Sequence, residues 1–296
     1  MSYLGEIASL ATAVCWAFTS IFFTRASRKI GALQVNLYRL PAAVLLLTIA
    51  YLFTGNSFAA AGEPVFWLGI SGVVGLAVGD TFLFQAMSLI GARLSMVLMA
   101  LVPPITAVLA FFFLDESISF TAILGIAVTV GGVIWVVAER TPDPAGVRRR
   151  ISAKGILQGF LGALGQAVGL ILAKKGLRGD IHFLLATLVR MLSATLIIWP
   201  VALLTRTARS PLVLFRNNAV TLREMGGGII FGPFLGVTLS LIAVKFTAAG
   251  IAATLMSTVP VIMIPLLMII EKEIPSWRAN LGAVIAVAGI AILFLR

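Results

Sequence analysis

Asp80 lies deep inside an apolar segment, flanked by Gly79 and Thr81, with Gln85 about one turn further on. A carboxylate near the centre of a membrane helix costs on the order of 2.5 to 3.5 kcal/mol on insertion scales, so it must face protein or water and have a partner. It can exchange a proton or pair permanently with a cation, and the sequence leaves both readings open. Arg39 and Arg190, at matching places in two other apolar segments, are cations at similar depth. An arginine near a helix end is expected to snorkel to the headgroups; the rival reading has one of them hold a carboxylate at a cavity mouth. Lys245 has the same two readings. Enzyme chemistry has little to build on. His182 has no Cys, His or acidic partner at ligand spacing, and Cys15 is the one cysteine, so neither a metal nor a disulfide is expected. No Walker-type phosphate loop or other cofactor motif is present, so ATP is not expected to drive the protein directly.

A second pattern concerns backbone chemistry. Leu98-Met99-Ala100-Leu101-Val102-Pro103 reappears as Leu255-Met256-Ser257-Thr258-Val259-Pro260, 157 positions later, each proline central in an apolar segment. A transmembrane proline removes one N–H and frees a carbonyl, and paired interrupted helices in corresponding halves are the best sequence pointer to a transporter's binding site. Met99 and Met256, one turn before the prolines, would give a soft apolar wall. Trp16, Ser20, Gln166, Thr238 and Ser240 occupy mid-span positions where an unpaired polar group is expensive. Together with Asp80, Gln85, Met99, Pro103, Met256 and Pro260 they are the expected substrate pathway.

The elements that position these residues follow from composition. The chain is 60% hydrophobic and 11% charged with mean hydropathy +1.10, too apolar for a water-soluble globule of 296 residues. Ten stretches are long enough to cross the roughly 30 Å hydrocarbon layer: 4–24, 33–53, 65–87, 94–114, 119–138, 154–173, 183–204, 225–246, 251–270 and 277–295. The first has no basic n-region, carries Glu6 and lacks a small-residue cleavage site, so it reads as a retained span. The net charge of +11 reflects topology, and no nucleic-acid partner is expected. Fifteen Lys and Arg fall in connections 1–2, 3–4, 5–6, 7–8 and 9–10, against five on the other side. The positive-inside rule makes the first set cytoplasmic and both termini external, although Lys174, Lys175 and Arg178 oppose it locally.

Between Leu98 and Ala138 the shift of 157 gives 13 identities in 41 positions, including Glu116/Glu273, Gly125/Gly282 and Gly132/Gly289. The same shift aligns Gly69, Gly75, Gly79, Thr81 and Ala86 with Gly226, Gly232, Gly236, Thr238 and Ala243, whereas Asp80 meets Val237. Earlier spans need a shift near 150, which pairs Gly5 with Gly155 and Arg39 with Arg190. The chain therefore divides into a first repeat at 1–139, a basic linker at 140–153 and a second repeat at 154–296. Five spans per repeat force the second to enter the membrane from the opposite side, the geometry that alternating access requires. Gly75/Gly79, Gly232/Gly236, Gly125/Gly132 and Gly282/Gly289 each lie on one helix face and read as close-packing surfaces, as does the Gly159, Gly162, Gly165, Gly169 face of span 6.

The pattern Ala92, Ser95, Pro103, Glu116, Gly125, Gly132, repeated as Ala249, Ala252, Pro260, Glu273, Gly282, Gly289, resembles the EamA domain of the drug/metabolite transporter superfamily. The resemblance implies an all-α integral membrane protein, ten transmembrane helices in two inverted five-helix repeats around a central cavity, and places it among exporters of amino acids and other small metabolites. The small four-helix multidrug members carry an acid deep in their first helix, where this chain has Cys15 and Trp16 and keeps Glu6 near the end. That departure argues against proton-coupled export of cationic drugs. The expectation is a secondary transporter of the bacterial cytoplasmic (inner) membrane that exports amino acids or similar small amphipathic metabolites. Its partners would be a small-molecule substrate and membrane lipids, and the protein a monomer or weak homodimer. The alternative is an accessory subunit of a membrane assembly, or a membrane enzyme without transport of its own.

Overall fold

A computed structural model describes residues 3–56, 62–114, 119–138, 141–142, 148–149, 152–177, 181–210, 218–246, 252, 255–270, 272 and 276–294. In the first repeat these form α1 (Leu4–Ile30), α2 (Ala32–Leu52), α3 (Glu63–Ser71), α4 (Asp80–Met99), α5 (Val102–Leu114) and α6 (Phe120–Val137). The second repeat gives α7 (Ala153–Gly176), α8 (Phe183–Leu204), α9 (Ala219–Ile229), α10 (Val237–Phe246), α11 (Val259–Ile270) and α12 (Trp277–Phe294). Two π-helical segments, Gly72–Gly79 and Ile230–Gly236, join α3 to α4 and α9 to α10 without interruption. In the linker β1 (Thr141–Pro142) pairs antiparallel with β2 (Arg148–Arg149), a two-residue ladder beside an otherwise helical protein.

Seven of the described helices are long and apolar enough to cross a membrane, and α11 and α12 are shorter apolar helices. One of the seven, Glu63–Met99, has 37 residues. At 1.5 Å per residue it would be about 55 Å long, too long for one pass. Gly91 divides it: at φ +81° and ψ 168° the chain turns out of the helix in a region that only glycine enters without strain, which separates spans 3 and 4. The chain is thus an all-α membrane protein of ten passes in two repeats.

The helices run further than hydropathy alone suggests. α1 continues through Arg25, Arg28 and Lys29, and α9 begins at Ala219, so those cations and Arg223 stand on helix extensions and not in loops. Side-chain caps close several helix starts: Ser119 on α6, Ser152 on α7, and Asn218 on α9, the last accepting from the Thr221 N–H at 3.1 Å.

Glycine faces bring helix backbones together where lipid supplies no hydrophobic drive. α6 packs on α12 along the expected faces: a Cβ on Gly132 would stand 2.6 Å from the Ala286 nitrogen, and one on Gly289 would strike the backbone and hydroxyl of Thr129. The α7 face meets α4 and the first π segment. A Cβ on Gly165 would lie 2.7 Å from the Gly79 Cα and one on Gly169 2.9 Å from the Gly75 Cα.

Candidate functional site

In a π turn the N–H bonds five residues back instead of four, which widens the helix and leaves carbonyls without an intrahelical donor. Both segments end on such a bond, Asp80 N–H to Gly75 O and Val237 N–H to Gly232 O, at equivalent positions of the two repeats. In the first segment side chains add donors to the backbone carbonyls, Gly75 O among them beside its bond from the Asp80 N–H. Asn36 Nδ2 donates to Leu76 O at 3.0 Å and Ala77 O at 2.9 Å, Arg39 Nη2 to Leu76 O at 3.1 Å, and Gln166 Nε2 to Gly75 O at 3.1 Å.

Asp80 sits where this segment passes into α4, and its two oxygens are both engaged. Oδ2 pairs with Arg39 Nη2 and Oδ1 accepts from Gln166 Nε2. Arg39 is further fixed by its Nε donating to Asn36 Oδ1 at 2.8 Å and by the Phe84 ring 5.0 Å from its guanidinium carbon. Arg39 and Asp80 are 3% and 7% exposed, so the ion pair is buried. Such a pair depends on further hydrogen bonds to its donors and acceptors, which Asn36, the Leu76 carbonyl and Gln166 supply here.

Arg190 of α8 approaches the same cluster from the other repeat. It interacts electrostatically with Asp80 and is 7% exposed. The snorkelling expected of Arg39 and Arg190 does not occur: both turn inward, Arg39 because Asp80 and the opened carbonyls lie within reach and Arg190 because α8 crosses the first π segment at Gly72. Asn36 is the member that sequence reasoning missed. Its signal was its place one turn before Arg39 on the same face of α2.

The prolines act as their chemistry dictates. Helix geometry lapses at Ala100–Leu101 and at Ser257–Thr258, and the chain tightens there into bonds three residues back, Leu101 N–H to Leu98 O at 3.0 Å and Thr258 N–H to Leu255 O at 3.2 Å. Pro103 and Pro260 follow two residues after each break and are buried. Met99 packs with the cluster of α1, α4 and α11 that holds Phe23, Met87 and Met263; Met256 packs with Ala8, Ala243 and Ala252.

The other expected pathway residues are spread through the fold. Ser20 is buried, donating to Ala17 O at 2.8 Å and to Met263 Sδ at 3.2 Å. Trp16 faces the second π segment, where a Cβ on Gly236 would be 2.8 Å from its Nε1. Thr238 Oγ1 is buried without a partner, whereas Ser240 donates to Val237 O at 2.7 Å. Gln85 stands apart from Asp80. It lines a cleft of about 480 Å³ with Gln34, Ser88, Arg206 and Arg209, at the end of α1 and the start of α2. Only Asp80 and Gln166 of the expected set join in one hydrogen-bonded cluster. The Lys245 side chain, Glu116, Arg178, Glu273 and Arg296 lie outside the described residues. Among the described residues no group of three His, Cys, Asp or Glu could hold a metal ion.

The family model of the EamA-like transporter family matches residues 3–138 and again 153–295. A crystal structure of a protein 16% identical superposes with a TM-score of 0.67 over 99% of this chain and 96% of that one, a likeness of fold. No curated protein matches the chain by sequence.

Proposed function

Because the chain belongs to the EamA-like transporter family and so is a membrane transporter, we propose that it is a secondary exporter. Its cargo is amino acids or similar small amphipathic metabolites, moved out of a bacterial cytoplasm by alternating access. One observation carries the reading: helix geometry fails at equivalent places in both repeats, at Ala100–Leu101 and Ser257–Thr258. Paired breaks loosen the backbone at corresponding places of the two repeats, where a polar cargo can meet it and where each repeat can rock against the other. The pathway runs past Met99, Pro103, Met256 and Pro260, with Trp16 and Gln166 on its α1 and α7 walls. The excess of Lys and Arg in odd-numbered connections supports a cytoplasmic placement for them.

The test is exchange in liposomes that contain only this protein. Labelled L-amino acids outside should accumulate against the same unlabelled amino acid inside, and Met99→Trp or Met256→Trp should cut exchange while folded yield stays near wild type. Protein-free rates for every amino acid would overturn the cargo reading.

A further inference from the structure

The two repeats present two arginines to one acid. Arg39 and Arg190 are repeat mates, but the second repeat has Val237 where the first has Asp80. Arg39 pairs with Asp80 and also meets Asn36, the Leu76 carbonyl and the Phe84 ring. Arg190 is held differently. Its Nε is sealed from solvent with no acceptor, and no hydrogen bond joins its guanidinium to another described residue. A guanidinium 93% buried in a membrane interior without a hydrogen-bonded counter-ion is costly, and its attraction to Asp80 is shared with Arg39.

Beyond the shared Asp80, the groups around Arg190 are backbone, amide and apolar side chains. The guanidinium ends beside the close contact of the first π segment with α7: a Cβ on Gly75 would touch the Gly169 Cα at 3.6 Å, Arg190 Nη2 at 3.7 Å and Gln166 Oε1 at 3.8 Å. Val237, which holds the place of the absent acid, packs in the apolar cluster that includes Leu188 and Met191, the neighbours of Arg190 on α8. The planar fork of a guanidinium matches a carboxylate with two parallel hydrogen bonds, and the low local dielectric strengthens them.

We propose that Arg190 is the receptor for the carboxylate of the cargo, which occupies the role that an acid at position 237 would fill if the repeats were equal. The substrate class is therefore small organic acids, zwitterionic amino acids included, and analogues that lack the carboxylate are poor cargo. This rests on the transport reading for the cargo's passage, but the carboxylate site can be tested without transport.

Propionate and its neutral counterpart propionamide are added to the purified full chain in detergent at matched ionic strength. Propionate raises the thermal midpoint and propionamide does not. Arg190→Gln abolishes the propionate shift, and so does Val237→Asp, which supplies the missing acid from within. Arg190→Lys keeps the charge without the fork and leaves a reduced shift, so the test stands even if Arg190→Gln does not fold. In liposomes the primary amide of any amino acid that exchanges competes about tenfold to a hundredfold less well than the acid. Equal shifts from propionate and propionamide, or a propionate shift undiminished in Val237→Asp, overturn the proposal. Failure of every amino acid to exchange, with the propionate shift intact, removes the transport reading and leaves the carboxylate site.

Discussion

The two π segments share a backbone and differ in what holds it open. Gly72–Gly79 contains no proline, and its exposed carbonyls are tied to Asn36, Arg39 and Gln166 around a buried ion pair. Ile230–Gly236 contains Pro233, which lacks an N–H and so removes a helical bond at its source. Around it the chain is apolar: Phe18 and Phe22 stack on Phe231 with ring centroids 5.2 and 6.2 Å apart, and Trp16 lies against Gly236. One deformation is supported by polar satisfaction in one repeat and by proline with aromatic packing in the other. The backbone is symmetric and its chemistry is not. The polar groups gather at the first segment and the apolar packing at the second.

The most direct way to break this contrast is to write the second solution into the first. Asp80→Val reproduces the Val237 side chain but brings no proline and no aromatic shell, and it leaves Arg39 and Arg190 buried without a carboxylate. Breaking a buried pair in this way costs about 3 to 5 kcal/mol. The expected outcome is a large fall in folded yield and thermal midpoint, with Asp80→Asn intermediate because an amide still accepts from Arg39. A wild-type midpoint for Asp80→Val would mean that the polar cluster does not support the segment.

A smaller effect separates the glycine faces. A Cβ on Gly165 would press on the Gly79 backbone at 2.7 Å, and a backbone cannot move aside as a side-chain tip can. Gly165→Ala should therefore cost about 1 to 3 kcal/mol, the range of core overpacking. Its counterpart under the shift of 150 is Cys15, which already carries a side chain and is buried. Cys15→Ala should cost about 1 kcal/mol or less. Denaturation midpoints of the two variants in the same detergent decide the matter, and a greater loss from Cys15→Ala would show that the two α1 and α7 faces are not equivalent.

How much of this could be read from residues alone depends on the range of the interaction. Spans were legible because each is a local apolar run, and the breaks before Pro103 and Pro260 because the missing N–H acts within its own helix. The close packing at Gly132 and Gly289 was legible from their shared face with Gly125 and Gly282. The π segments were not, since Gly75-x-x-x-Gly79 is equally the mark of an ordinary close-packed helix. The direction taken by Arg39 was hidden for a different reason. Its distance from the helix end favours the headgroups, and only the fold brings Asp80, 41 residues away, beside it. Gln166 was legible as a polar group at mid-span, but its partners belong to the other repeat.

The finest contrast concerns a pair of hydroxyls that tie the first helix of each repeat to the π region of the other. Ser71 donates to Gly169 O at 2.6 Å, and Thr19 donates to Gly228 O at 2.6 Å. Ser71 corresponds to Gly228 and Thr19 to Gly169, so the same link is made twice with donor and acceptor exchanged. Each acceptor is a backbone carbonyl with a second lone pair, so losing the hydroxyl removes one net hydrogen bond without stranding a charged group. Ser71→Ala and Thr19→Val should each lower stability by about 0.5 to 1.5 kcal/mol. The two links share no partner, so the double variant should equal the sum within about 0.5 kcal/mol. Ser71 is fully buried and Thr19 is partly exposed, which places Ser71→Ala at the upper end of the range. Equal, additive losses would mean that the repeats are mechanically equivalent at this link. A loss from Ser71→Ala several times that from Thr19→Val would mean that the polar reinforcement of the first segment extends a full turn beyond Asn36 and Arg39, toward α3.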